Sequence, residues 1–211
     1  MTTQLQPLAP LLVFGWGNPS RGDDALGPLC AERLRAARLP AAGVEFLDDY
    51  QLQIEHALDL VGRQRVLFVD ASSNCCAPFE VTLLRAARDA SFSTHAMSPQ
   101  ALMLVFRELY GEDPPPCTLL AIRGEQFTLG EALSAAALSH LAAALEWADG
   151  WLAAASAGTR GSESPDHPAG EHRDEGHRGE AGQARREGEA AGLAFVRDCS
   201  IRAHEHELDH P

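Results

Sequence analysis

The stretch LLVFGWGNPSRGDDALG, Leu11 to Gly27, constrains the fold more than any other part of the chain. An apolar run, Leu11 to Phe14, meets Gly15 and Gly17. A polar loop follows, and the chain resumes as an amphipathic segment opening at Asp23 and Asp24. That order reads as strand, glycine turn, helix, the handover of a parallel α/β unit. It puts two carboxylates at the carboxyl end of a strand, where open α/β sheets gather their chemistry.

The same pattern recurs along the chain. Residues 43–47 (GVEFL) predict a second strand, closing at Asp48 and Asp49, and the apolar spacing of Gln51 to Val61 predicts a short helix. RVLFV, residues 65–69, is an uninterrupted apolar run into Asp70, as expected of a strand buried on both faces. FEVTLL, residues 79–84, alternates and predicts an edge or half-exposed strand. Ser98 before Pro99 has the chemistry of a helix N-cap with proline in the first turn. CTLLAI, residues 117–122, predicts another buried strand, Arg123 to Phe127 a connection, and Gly130 to Ala155 a long Ala/Leu-rich helix. Strands thus alternate with helices, except for two successive strands between residues 65 and 84. The expected architecture is a single α/β domain over residues 1–156, with a mainly parallel twisted sheet and helices on both faces.

Composition sets residues 157–211 apart. They hold 12 acidic and 7 basic residues, with only Leu193, Phe195, Val196, Ile201 and Leu208 as larger apolar side chains. Such a segment buries too little apolar surface to offset its ordering entropy, so a disordered tail is expected. The remainder, with 18 acidic and 10 basic residues, is acidic too, which disfavours nucleic acid as a partner. All seventeen basic residues are arginine. The absence of lysine excludes a Walker-type phosphate lysine, a Schiff-base lysine and a lysine general base. The five cysteines are odd in number and lack C-x-x-C spacing, so they indicate neither a disulfide framework nor a zinc knuckle. No signal-peptide pattern and no apolar run of membrane-spanning length is present, so a cytoplasmic protein without a membrane partner is expected.

Three residues form a candidate constellation: Asp24 after the first strand, Asp70 after the third, and His95 in the loop before the Pro99 helix. Neighbouring parallel strands end on one crevice, so two carboxylates and an imidazole distant in sequence can face one point. Such a set suits a borderline divalent ion such as nickel or zinc and leaves coordination positions open. Each residue also has a plainer reading. Asp23 and Asp24 can cap a helix start, Asp70 can cap a turn, and a loop histidine can simply be solvated. Asn18, beside Gly17 and Pro19, is a turn residue or one that orients a substrate chain. His56 and His140 lie in helical patterns and are expected to be surface or satisfied core residues. A dinucleotide site would need G-x-G-x-x-G, but the third glycine position is Ser20, so no nucleotide cofactor is expected despite the acids at Asp48 and Asp49.

Taken together, GWGNPSRGDDALG resembles the G-x-G-N-x-x-x-x-D-[DE]-[GA]-x-G signature of the hydrogenase maturation endopeptidases. FVDAS resembles their second, strand-ending aspartate motif, and THAMSPQALM their histidine motif. The resemblance spans Leu11 to Leu152 and leaves the tail out. It implies an endopeptidase that removes a C-terminal extension from the large-subunit precursor of a [NiFe] hydrogenase after nickel insertion. The family's metal-contacting positions carry over onto Asp24, Asp70 and His95, with Gly17 and Asn18 in the substrate loop and Asp23 a proton-transfer assistant or a cap. The nickel would arrive within the substrate. The stretches DDYQLQIEHALDL and GEQFTLGEALS also look like those of relatives serving soluble, pyridine-nucleotide-linked hydrogenases. There is no G-x-S-x-G elbow and no H-E-x-x-H, so neither a self-sufficient serine protease nor a zinc protease is indicated. The alternatives are a non-catalytic nickel-binding hydrogenase chaperone and a nucleotide-binding α/β enzyme.

Overall fold

Leu11–Trp16 is strand β1 because its residues are apolar on alternate and on intervening positions alike, and both sets are covered. In the computed structural model, which describes residues 8–38, 43–88 and 97–160, Leu11 and Val13 face one layer while Leu12 and Phe14 face the other. β3 (Arg65–Ser72) follows the same rule, with Leu67 and Val69 on the first side and Val66 and Phe68 on the second. A strand that pleats its side chains to both sides and buries all of them must lie inside a sheet covered on both faces.

The sheet has five strands in the order β2-β1-β3-β5-β4. β2 is Val44–Asp49, β4 is Phe79–Leu83 and β5 is Cys117–Arg123. The β1–β2, β1–β3 and β3–β5 pairs are parallel, and β4 runs antiparallel to β5 at the edge. Helices α1 (Leu26–Ala37) and α3 (Ala135–Arg160) pack on one face through Leu26, Cys30, Leu34, Leu141, Ala144 and Leu152. Helix α2 (Pro99–Tyr110) and the 3-10 segment Ile54–Leu60 cover the other through Leu102, Met103, Phe106, Ala57 and Leu60. The expected mainly parallel sheet with helices on both faces is what the chain forms.

Three details depart from the expected elements. Gln51 to Val61 forms a 3-10 segment, Ile54–Leu60, and not an α-helix: Ala57 and Leu60, three apart, are buried, while Ile54 and Leu58 are exposed. β3 and β4 follow one another without a helix but are not neighbours, because β5 inserts between them. α3 begins at Ala135, later than Gly130, and runs through Ser156 to Arg160, four residues beyond the boundary drawn at 156. Residues 161–211 lie outside the described residues. Among the described residues no helix is long and apolar enough to cross a membrane.

The exit from β1 is set by glycine. Gly17 has φ of +142°, and a Cβ there would stand 1.9 Å from the Asp24 carbonyl oxygen. Gly15 and Gly27 let α1 settle directly on the strand ends. A Cβ on Gly15 would meet the Gly27 carbonyl oxygen at 2.2 Å, and one on Gly27 would meet the carbonyl oxygens of Trp16 at 2.2 Å and Val69 at 2.7 Å. The glycine that packs helix on strand is therefore Gly27, and the position filled by Ser20 lies in the exposed loop before it. In this way the chain turns back at once over the carboxyl ends of β1 and β3.

Candidate active site at the carboxyl end of the sheet

β1 pairs with β2 on one side and β3 on the other, and the connection leaving β1 goes to β2, so the β1–β3 boundary is the topological switch point of the sheet. Crevices form there because successive connections diverge to opposite sides. Asp24 and Asp70 approach this boundary from its two sides.

Asp24 sits in the 3-10 turn Gly22–Ala25 that precedes α1. Its Oδ2 accepts a hydrogen bond from the Asn18 N–H at 2.9 Å, and Asn18 Oδ1 in turn accepts from the Ser20 N–H at 2.9 Å. Asn18 thereby closes the loop that Gly17 opens. Neither Asp23 nor Asp24 caps α1, whose N-terminus has no side-chain cap.

Asp70 lies within β3, opposite Ala121 of β5, two residues before the strand ends. Alternation along β3 directs it to the same face as Val66 and Phe68. Its Oδ1 accepts from the Ala71 N–H at 2.8 Å. Burial pushes its carboxyl up to about 7, the Ala71 hydrogen bond opposes the rise, and the negative charge of Asp24 adds to it. Asp24 is thus close enough for its charge to be felt by Asp70. Trp16, on the same face, packs edge-on against Phe68 with ring centroids 5.8 Å apart.

The third residue, His95, lies outside the described residues. Ser98, three positions on, caps α2 as expected, its side chain accepting from the Ala101 N–H at 3.2 Å. Among the described residues no group of three or more metal-ligating side chains forms, so two carboxylates are what they contribute.

Asp23 has a different place from its neighbour. It is fully buried, and its oxygens accept from the N–H groups of Glu125 at 2.8 Å, Gln126 at 3.0 Å and Ser134 at 2.7 Å, and from the Ser134 hydroxyl at 2.9 Å. Burial alone would raise its pKa; the four donors outweigh that and hold the carboxyl below its usual range. A carboxylate saturated in this way and shut off from solvent is not available to relay a proton, so the role of assistant does not fit its geometry. Nothing in the sequence points to Ser134 or to the 125–126 backbone as its partners, which stand 102 to 111 residues away.

The two histidines among the described residues, His56 and His140, are satisfied structurally. His56 Nδ1 accepts from the Gln53 N–H at 3.0 Å, its Nε2 stands 3.4 Å from Asp49 Oδ2, and its ring meets Phe14 edge-on. His140 Nδ1 donates to the Arg123 carbonyl at 2.8 Å. Cys30, Cys75 and Cys117 are free, buried thiols; burial raises all three, Cys30 and Cys117 to about 12. Thiols this far from ionisation make poor nucleophiles or metal ligands.

No family model matches the chain, and no curated protein matches it. Solved structures do. A [NiFe] hydrogenase maturation protease, HycI, from Thermococcus kodakarensis KOD1 is 23% identical, with 67% of this chain and 90% of that one covered and a TM-score of 0.52. An endopeptidase from Escherichia coli is 27% identical over 64% of this chain and 87% of that one, TM-score 0.51. The hydrogenase maturating endopeptidase HybD from E. coli is 24% identical over 64% and 87%, TM-score 0.50. The chain has the α/β fold of the hydrogenase maturation endopeptidases.

Proposed function

We propose that this protein is an endopeptidase that removes the C-terminal extension of a [NiFe] hydrogenase large-subunit precursor once nickel has been inserted. The observation that carries this reading is that Asp24 stands near enough to Asp70, beside the β1–β3 switch point, for its charge to act on that carboxyl, in a fold shared with proteases of that kind. The nickel is part of the substrate: it arrives held by the precursor, and Asp24, Asp70 and His95 supply oxygen and nitrogen ligands suited to it. Cleavage would then be restricted to loaded precursor, because only loaded precursor completes the ligand set.

The residues on hand suit such a task. A carboxyl group at about 7 in Asp70 exchanges its proton readily near neutral pH, so it can meet the substrate protonated and be ionised by an approaching cation. Asp24, fixed through Asn18, offers a carboxylate on a loop whose backbone is tied down. A metal placed against the scissile bond polarises its carbonyl and activates water, while the two chains hold the reacting groups together. Gly17 and Asn18 line the loop nearest Asp24 and are the residues proposed to orient the precursor chain.

The test is incubation of the protein with nickel-loaded and nickel-free large-subunit precursor, read as a mobility shift. Cleavage of the loaded form alone is expected. Replacing Asp24, Asp70 or His95 with alanine should reduce processing by at least about a hundredfold. Normal cleavage by His95→Ala would remove that residue from the set. Nickel-dependent binding without cleavage would replace the protease with a non-catalytic chaperone.

A further inference from the structure

The strongest unassigned arrangement is the joint between the loop that carries Asp24 and the connection from β5 to α3. Seven hydrogen bonds cross it. Four end on the Asp23 carboxylate, from Glu125, Gln126 and, twice, Ser134. Three are between backbones: the Asp23 N–H donates to the Gln126 carbonyl at 2.7 Å, the Gly22 N–H to Glu131 at 3.1 Å, and the Gly130 N–H to Ser20 at 2.7 Å. The two segments also touch closely. Gly22, at φ +58°, leaves room for the Gln126 carbonyl, which a Cβ would meet at 2.5 Å, and a Cβ on Gly124 would stand 2.9 Å from that of Asp23.

The chemistry at the centre requires a carboxylate. Three N–H groups and one hydroxyl converge on two oxygens, and an amide would have to aim its NH₂ at one of these donors. Ser134 is also the N-cap of α3: its Oγ accepts from the Ala137 N–H at 3.0 Å and its carbonyl from the Leu138 N–H at 3.1 Å. The Asp23 charge therefore lies at the positive end of a 26-residue helix. That helix is anchored in the core through Leu141, Ala144 and Leu152. By contrast, the Asp24 side chain has one hydrogen bond among the described residues, from Asn18 within its own loop.

We propose that Asp23 is a positioning residue for Asp24: through Ser134 it locks the site loop to α3, so that the loop on which Asn18 holds the Asp24 carboxylate is itself held in place by the neighbouring aspartate. The proposal rests on the protease reading for its kinetic consequence, and on geometry alone for its structural one. Asp24 touches the nickel-bearing substrate; Asp23 acts only through it.

The experiment compares wild type with Asp23→Asn, Ser134→Ala and Ser134→Thr, at a temperature where circular dichroism shows each to be folded. For nickel-loaded precursor, kcat is expected to fall about a hundredfold in Asp23→Asn and about tenfold in Ser134→Ala, with KM changed less than about twofold; Ser134→Thr, which keeps the hydroxyl, recovers most of the loss. Hydrogen–deuterium exchange provides a readout independent of activity. Amides of residues 17–24 and 125–134 should become labile together, while those of β1 and β3 keep their protection. A folded Asp23→Asn protein with wild-type kcat, or exchange that rises in 125–134 but not in 17–24, overturns the proposal. If Asp23→Asn does not fold, Ser134→Ala decides by the same two measurements. If wild-type protein cleaves no precursor, the protease reading fails, and the coupled exchange alone decides whether the joint holds the Asp24 loop.

Discussion

Asp23 and Asp70 have opposite fates, and the difference is one of donors. Asp23 collects four and is held below the usual carboxyl range; Asp70, with one, is pushed up by burial to about 7. The sign of the consequence follows. An acid whose pKa rises on folding takes up a proton on folding at any pH between its unfolded value of 3.8 and its folded one. Asp70 therefore lowers stability progressively as pH climbs through that window, by at most about 4 kcal/mol once fully ionised. Asp70→Asn, which removes the titration and keeps an oxygen for the Ala71 N–H, should raise the melting temperature at pH 8 and raise it several times less at pH 4.5. Thermal denaturation of both proteins across that range checks this; an equal shift at the two ends would exclude the mechanism. Asp23 acts in the other direction, contributing stability that is present above its unfolded pKa and lost as pH falls through its folded one. At this scale Asp24 and Asp70 were legible in the sequence because strand ends announce themselves in apolar runs. The task of Asp23 was not, since its partners lie more than a hundred residues away and carry no signature of their own.

Elements were legible to the degree that burial is symmetric. β1, β3 and β5 are covered on both sides, and continuous apolar runs have no other use in a chain of this kind. α2 carries its own punctuation: Ser98 caps it, and Gly111, at φ +69°, ends it. Ser98→Ala should cost about 1 kcal/mol in urea denaturation, the typical value of such a cap. The segment Ile54–Leu60 is a 3-10 turn where the sequence predicts an α-helix, because its apolar residues suggest a helical stripe of which only part meets the core. The start of α3 was misread because residues 130–134 are engaged with the loop after β1 and not with a helical turn. The edge strand β2 shows how a side chain can close what secondary structure leaves open: Arg35 of α1 donates to the Phe46 carbonyl at 2.8 Å and to Asp48 at 3.0 Å. Where α1 meets the sheet there is no such tolerance. Gly27→Ala places a methyl against two backbone carbonyls that cannot swing aside, and a loss of about 3 kcal/mol or more is expected by the same denaturation assay.

On the scale of the whole molecule, alternation of strands and helices was enough to foresee a covered parallel sheet. It was not enough to foresee that β5 would slot between β3 and β4, since strand order depends on pairings that local pattern does not encode. Among the described residues, the site is assembled from β1, β3 and the turn before α1, all within residues 11–72, and its support comes from residues 124–134. Ending the chain after Arg160 keeps α3 whole; undiminished processing of nickel-loaded precursor is the expected result, and a loss would assign residues 161–211 a part in the reaction. The glycines around the first turn have a consequence for divergence. Gly17 is wedged against the Asp24 carbonyl, Gly22 against Gln126, and Gly27 against the ends of β1 and β3. The segment is pinned at its start, middle and finish by main chain, so an insertion or deletion anywhere in it would unseat at least one clamp. Descendants of this protein are free to change which side chains the loop displays, at Pro19, Ser20 and Arg21, but they inherit its length.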